Sequence, residues 1–134
     1  HLLSRRQRQM CKETGDIWNQ LPSDLRDVIK EVTKKTSAGG ASGIINSISD
    51  TLFLFAEKEI FGSKQYSVDG EGTQYARFTA SNTRIKKLNG SATYWWLRSP
   101  RSSSAYSFCA VNTSGAASLD DANASNGVCF GFCI

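Results

Sequence analysis

From Tyr94 onward the chain repeats one texture: short apolar and aromatic runs, each closed by a cluster of Ser, Gly, Asn or Asp. The runs are Tyr94-Trp95-Trp96-Leu97-Arg98, Tyr106-Ser107-Phe108-Cys109-Ala110-Val111, Ala116 to Leu119, and Val128 to Ile134. Runs of this length between turn clusters are strand signals, and their close spacing implies antiparallel neighbours. The last run is apolar on both faces, with Val128, Phe130, Phe132 and Ile134 on one and Cys129, Gly131 and Cys133 on the other. Such a strand is expected in the middle of a sheet. Trp95, Trp96, Phe108, Val111, Phe130 and Phe132 are the expected aromatic and aliphatic lock, each worth about 2 to 3 kcal/mol when buried.

The first half reads differently. Leu21-Pro22-Ser23 ends one helical segment, and Ser23 is placed to cap a second, in which Leu25, Val28, Ile29 and Val32 recur at helical spacing. Lys35 to Gly43 has linker chemistry. Leu52-Phe53-Leu54-Phe55 is a short buried strand, and Glu57 to Gly62 a single helical turn closed by glycine. Tyr66 to Gly72 is loop, followed by short broken helices to Leu88. The expected class is α+β, with N-terminal helices packed on a C-terminal antiparallel sheet. A chain of 134 residues forms one domain, 1–134. No apolar run approaches a membrane span, so a soluble domain is expected. The opening at His1-Leu2-Leu3 reads as a cut from a longer protein.

Catalytic sets are hard to assemble. The only histidine is His1, which leaves a Ser-His-Asp or Cys-His arrangement without a base. Cys11, Cys109, Cys129 and Cys133 lack metal-ligand spacing, and buried free thiols are the expected state of the C-terminal three. Glu57, Glu59, Asp69 and Glu71 are expected in solvent, since a calcium loop would need more oxygens. Asp120 and Asp121 are adjacent, so a strand sends them to opposite faces. Gly39-Gly40 with Gly43 lacks the Lys-Ser/Thr of a phosphate cradle. The net charge of +4 is spread over small basic groups at Arg5-Arg6-Arg8, Lys34-Lys35 and Lys86-Lys87, without the aromatic platforms of a nucleic-acid site. No enzyme, cofactor, metal or nucleic-acid partner is therefore expected.

The positive signal lies in what the tail omits. Residues 101 to 134 contain no Lys, Glu, Gln, Met or Trp, whereas the first 100 residues contain 22 of them. At that rate the tail would hold seven or eight. Turn-rich composition disfavours some long side chains, yet exposed turns usually accept Lys, Glu and Gln. Codons ending in C or T and varied at their first two positions reach every amino acid except these five, with Asn as the all-adenine start. The tail is rich in what such variation yields. The candidate ligand-binding set is Ser102, Ser103, Ser104, Tyr106, Ser107, Ala110, Asn112, Thr113, Ser114, Ala116, Ser118, Leu119, Asp120, Asp121 and Asn123. These positions interleave with expected scaffold residues Phe108, Val111, Gly115, Ala122 and Gly127. Tyr, Ser, Asn and Gly are also favoured in antibody paratopes, where Tyr anchors and short polar groups adapt; Tyr106 is the first candidate anchor.

The string Tyr94-Trp95-Trp96-Leu97-Arg98-Ser99-Pro100, then Phe108-Cys109-x-Val111, Gly115, and Gly127-Val128-Cys129-Phe130-Gly131-Phe132-Cys133-Ile134, resembles the variable proteins of diversity-generating retroelements. More specifically, it is similar to those of gut bacteria and their phages. Glu59-x-Phe61-Gly62 and Asn82-x-Arg84-x-Lys86 extend the similarity to about residues 20–134. The resemblance implies a C-type-lectin-like fold of the formylglycine-generating-enzyme branch, with adenine-directed mutagenesis confined to a variable region, here 101–126. It implies a receptor-binding or adhesin domain on a phage virion tail or a bacterial cell surface, directed at a protein or glycan. An invariant binding domain of the same fold is the alternative, and an enzyme of the formylglycine-generating type is a further one. The reactive cysteine pair of that enzyme is not identified here, nor are the calcium-dependent sugar-binding signatures of true C-type lectins.

Overall fold

In a computed structural model, the structure describes residues 15–40, 42–104 and 106–134. Cys11 and the basic group Arg5-Arg6-Arg8 lie outside them. Helix α1 covers residues 15–20 and α2 covers Ser23–Arg26. Strands β1 (Val32–Ser37) and β2 (Ile45–Asp50) form an antiparallel hairpin. Strand β3 (Phe53–Leu54) leads into helix α3 (Glu57–Phe61). Two 3-10 turns, Ala76–Phe78 and Ser81–Arg84, precede the small hairpin of β4 (Lys86–Leu88) and β5 (Ser91–Thr93). Then come β6 (Trp95–Pro100), β7 (Ser107–Val111), β8 (Ala117–Asp121) and β9 (Phe130–Gly131). The class is α+β, with few helices and several small antiparallel sheets.

Strands β6, β7 and β8 form the three-stranded sheet in that order, and β6 is its anchor. One edge of β6 pairs with β7; at the other, Trp96 N–H donates to Gly127 O at 3.0 Å and Arg98 N–H to Phe55 O at 2.8 Å. All six residues of β6 and all five of β7 are buried. Alternation along these strands feeds two cores. Trp95, Leu97, Cys109 and Val111 join Ile60 and Phe78 in one, while Trp96, Phe108 and Ala110 join Leu54 in the other. A sheet buried on both faces explains why β6 and β7 read as nearly continuous apolar runs.

Several expectations need correction. The second helix stops after one turn, because β-branched Val28, Ile29, Val32, Thr33 and Thr36 favour extended backbone and β1 finds a full six-residue partner in β2. Ser23 does not cap it; Pro22 occupies the N-cap position and no side-chain cap bond forms. The linker shrinks to the β1–β2 turn, where Gly39, Gly40 and Gly43 all take positive φ. The final strand is not central. Phe130 and Gly131 pair with the two residues of β3, Cys133 makes only an isolated bridge with Lys30, and Phe132, Cys133 and Ile134 are exposed. A Cβ on Gly131 would lie 2.7 Å from the Phe53 ring, so this contact admits glycine alone. Phe132 and Cys133 therefore do not belong to the core. Elsewhere α3 ends as expected on Gly62, whose φ of 76° is left-handed.

Candidate ligand-binding surface

The frame of the surface is held by buried charges. Arg98, set between Leu97 and Ser99 on β6, donates to Lys35 O and Glu71 O at 2.9 Å and to Leu54 O at 2.7 Å. Its Nη1 also pairs with Glu59 Oε1, and Lys34 pairs with Glu59 Oε2. One guanidinium thus ties β1, β3, α3 and the Glu71 loop to the central strand. Glu57 Oε1 accepts the N–H groups of Gln65, Tyr66 and Ser67 at 2.8, 3.1 and 3.0 Å, and the Ser67 hydroxyl at 2.8 Å. Glu71 Oε2 accepts the Ser37 N–H at 3.0 Å, while its Oε1 is buried without a hydrogen-bond partner. Burial pushes the Glu71 carboxyl above the ordinary glutamate range, with the Ser37 N–H and Arg98 acting against it.

The expectation that Glu57, Glu59 and Glu71 lie in solvent is therefore wrong, since each is only 1% exposed. Asp69 alone fits it. Their burial had one legible signal: Glu57 and Glu59 sit among Phe55, Ala56, Ile60 and Phe61, and Arg98 among Trp95, Trp96 and Leu97. Charges inside apolar runs must find partners when they fold inward. The partners themselves lie far away in sequence and could not be read from it.

The β7–β8 hairpin carries the middle of the predicted set. Its register pairs Ser107 with Asp121, Phe108 with Asp120, Cys109 with Leu119, Ala110 with Ser118 and Val111 with Ala117. At its tip Asn112 Oδ1 accepts the Ser114 N–H at 3.0 Å, the Ser114 hydroxyl at 2.8 Å and the Ala116 N–H at 2.9 Å. Asn112 is half-buried and organises the turn, with Thr113, Ser114 and Ala116 exposed around it. Ser118, Leu119 and Asp120 are half-buried on β8 and Asp121 is exposed. Leu119 packs against the first core. Asp120 Oδ2 accepts the Asn126 amide at 3.1 Å, which ties the strand to the following loop.

The flanking loops carry the rest. Ser103 and Asn123 are exposed, and Ser102 and Ser104 half-buried. Tyr106 is 62% exposed, its N–H donating to Ser104 Oγ at 3.1 Å. Two predicted positions do not face solvent. Ala110 is fully buried beside Trp96, and Ser107 is buried with its hydroxyl directed to Asp121 Oδ1 at 3.4 Å, because β7 is the middle strand of the sheet. Of the interleaved scaffold residues, Phe108, Val111 and Gly115 are buried, and Ala122 and Gly127 are half-buried.

Below the hairpin tip an open cleft of about 330 Å³ is lined by Glu57, Phe61, Ser63, Gln65, Arg84, Ala116 and Ala117. Among the described residues no cysteine lines it. Cys109, Cys129 and Cys133 are free, and burial raises the thiol pKa of Cys109 and Cys129, with Glu57 and Glu71 adding to the effect at Cys109. Among the described residues no group of three or more His, Cys, Asp or Glu side chains is placed to hold a metal ion. No helix among them is long and apolar enough to cross a membrane.

Comparison with the curated proteins and with the solved structures gives no match. A family of domains of unknown function, DUF6273, matches residues 13–134, nearly the whole chain, and the protein belongs to that family.

Proposed function

We propose that this is a non-catalytic ligand-binding domain, of receptor-binding or adhesin type, whose C-terminal surface is varied by retroelement mutagenesis on a fixed frame. The observation that carries the reading is the interleaving within 101–126. Exposed Ser103, Tyr106, Thr113, Ser114, Ala116, Asp121 and Asn123 come from the code-limited set. Between them lie Phe108, Cys109, Val111 and Gly115, which are buried. Side chains on such exposed positions exchange at a cost of under about 0.5 kcal/mol each, so recognition can change while the core stays intact. Burial raises the thiols of Cys109 and Cys129, the opposite of what activates a nucleophile, so neither of these two supports a formylglycine-generating role.

On this reading the fold is the C-type-lectin-like one of the formylglycine-generating branch, and the domain is displayed on a phage tail or a bacterial surface against a protein or glycan. The test is the gene's own locus. The expected result is a near-copy of the codons for 101–126, differing only at adenines, beside a reverse-transcriptase gene. A locus lacking both overturns the diversification and leaves an invariant domain.

A further inference from the structure

Strand β2 has a partner strand on one side only, and its hydrogen-bonding phase is fixed. Ala38 N–H donates to Ile44 O at 2.9 Å, in the same register that pairs Thr36 with Asn46 and Lys34 with Ile48. Bonded and non-bonded pairs alternate along an antiparallel ladder. Asn46, Ile48 and Asp50 therefore bond inward to β1, and the N–H and C=O groups of Ile45, Ser47 and Ser49 point outward. The other edge of the hairpin agrees with this phase. Lys35 O and Ser37 N–H, which the same alternation turns away from β2, are the groups taken by Arg98 and Glu71. Among the described residues no hydrogen bond engages the outward backbone groups of Ile45, Ser47 and Ser49.

This edge lacks the usual guards. Strand β2 has no Lys, Arg or Pro, its register runs unbroken, and its four central residues are exposed. Ile44 and Ile48 are 57% and 46% exposed. An open edge of this kind accepts an added strand, with backbone bonds supplying affinity and alternate side chains supplying selectivity. Lys35 sets the selectivity. Its Nζ donates to Ser47 Oγ at 2.8 Å, and it makes no ion pair among the described residues. Lys34, on the other face, is already paired with Glu59. One ammonium is thus held over β2, next to the position that an added strand places opposite Ser47. A carboxylate at that position meets it, whereas a second copy of this chain paired about Ser47 would bring two Lys35 ammoniums together. Side chains alternate along a strand, so the neighbours of that carboxylate fall on the face of Ile48.

We propose that the outer edge of β2 takes up an extended peptide segment of a partner protein as a third, antiparallel strand, with a carboxylate opposite Ser47 paired to Lys35 and apolar side chains on the Ile48 face. No residue of 101–126 takes part, so this edge is a second interaction surface, independent of the variable one.

The test is an amide-detected NMR titration of the full chain with the blocked peptide Val-Thr-Val-Glu-Val-Thr-Val, and with its counterpart carrying Lys in place of Glu. Saturable shifts are expected at the amides of Ile45, Ser47 and Ser49. In the free chain these three should exchange with solvent faster than the amides of Asn46 and Ile48, and the peptide should protect them. The Lys peptide should bind about fivefold or more weakly. Lys35→Glu should reverse that order. Ser47→Pro removes an outward donor and no bond to β1, so it should abolish binding of both peptides while the β7 and β8 amides stay in place. If Ser47→Pro disturbs the hairpin, Lys35→Glu, at an exposed side chain, decides the matter. Absence of shifts along 45–49, equal affinity for the two peptides, or an order that Lys35→Glu leaves unchanged overturns the proposal. Concentration-dependent shifts at these amides without peptide overturn it in favour of a second copy.

Discussion

Gly115 holds φ at 82°, and a Cβ there would lie 2.8 Å from the backbone oxygen of Ser81. Both facts demand glycine, so Gly115→Ala should cost about 2 to 3 kcal/mol, read as a lower denaturation midpoint with an unchanged slope. Glu71 makes a second single-residue prediction. Its folded pKa lies above the ordinary value of 4.5. The folded state therefore binds a proton that the unfolded chain has already released. Glu71 thus favours folding most below the unfolded value, and that contribution fades as pH rises through the folded value. Asp69, held low by Lys58 and Lys64, titrates with the opposite sign and at lower pH, so the two windows separate. The stability of wild type minus that of Glu71→Gln should fall with rising pH above 4.5; parallel curves would refute the assignment.

At the scale of elements, the hairpin sorts ten of the fifteen candidate positions by what they can tolerate. Replacing Thr113, Ser114 or Ala116 should change stability by under about 0.5 kcal/mol, since all three are exposed. Ala110→Leu should cost about 1 to 3 kcal/mol by overpacking against Trp96. The Arg98 clamp predicts more: Arg98→Leu leaves Glu59 buried with Lys34 as its remaining ion-pair partner, a loss of about 3 to 5 kcal/mol by urea denaturation. Removing Arg98 and Glu59 together should cost less than the sum of the single changes.

The same elements show what the sequence could reveal. Apolar runs with turn punctuation located β3, β6, β7 and β8, and Gly62 located the end of α3. Strands β1 and β2 were illegible because Lys34, Lys35, Asn46 and Ser47 alternate with few apolar residues. Their order comes from mutual pairing and from Arg98 reaching Lys35 O. The last segment misled for the converse reason: apolar composition without enough partner strand gives exposed Phe132 and Ile134, not a central strand.

Across the whole molecule, a double-faced core of Trp95, Trp96, Phe108 and Val111 supports a C-terminal surface on which short side chains lie outside and scaffold residues inside. The candidate surface was half legible. The missing amino acids marked the segment, but burial of Ser107 and Ala110 and the turn-forming role of Asn112 depend on strand order and register. The most direct measurement is deep sequencing of this gene across many isolates, mapped onto residue burial. The account predicts substitutions concentrated in the first two codon positions of Ser103, Tyr106, Thr113, Ser114, Ala116, Asp121 and Asn123, with Trp95, Trp96, Phe108, Val111 and Gly115 constant. Substitutions spread evenly over buried and exposed positions, or a tail as invariant as the core, would contradict it.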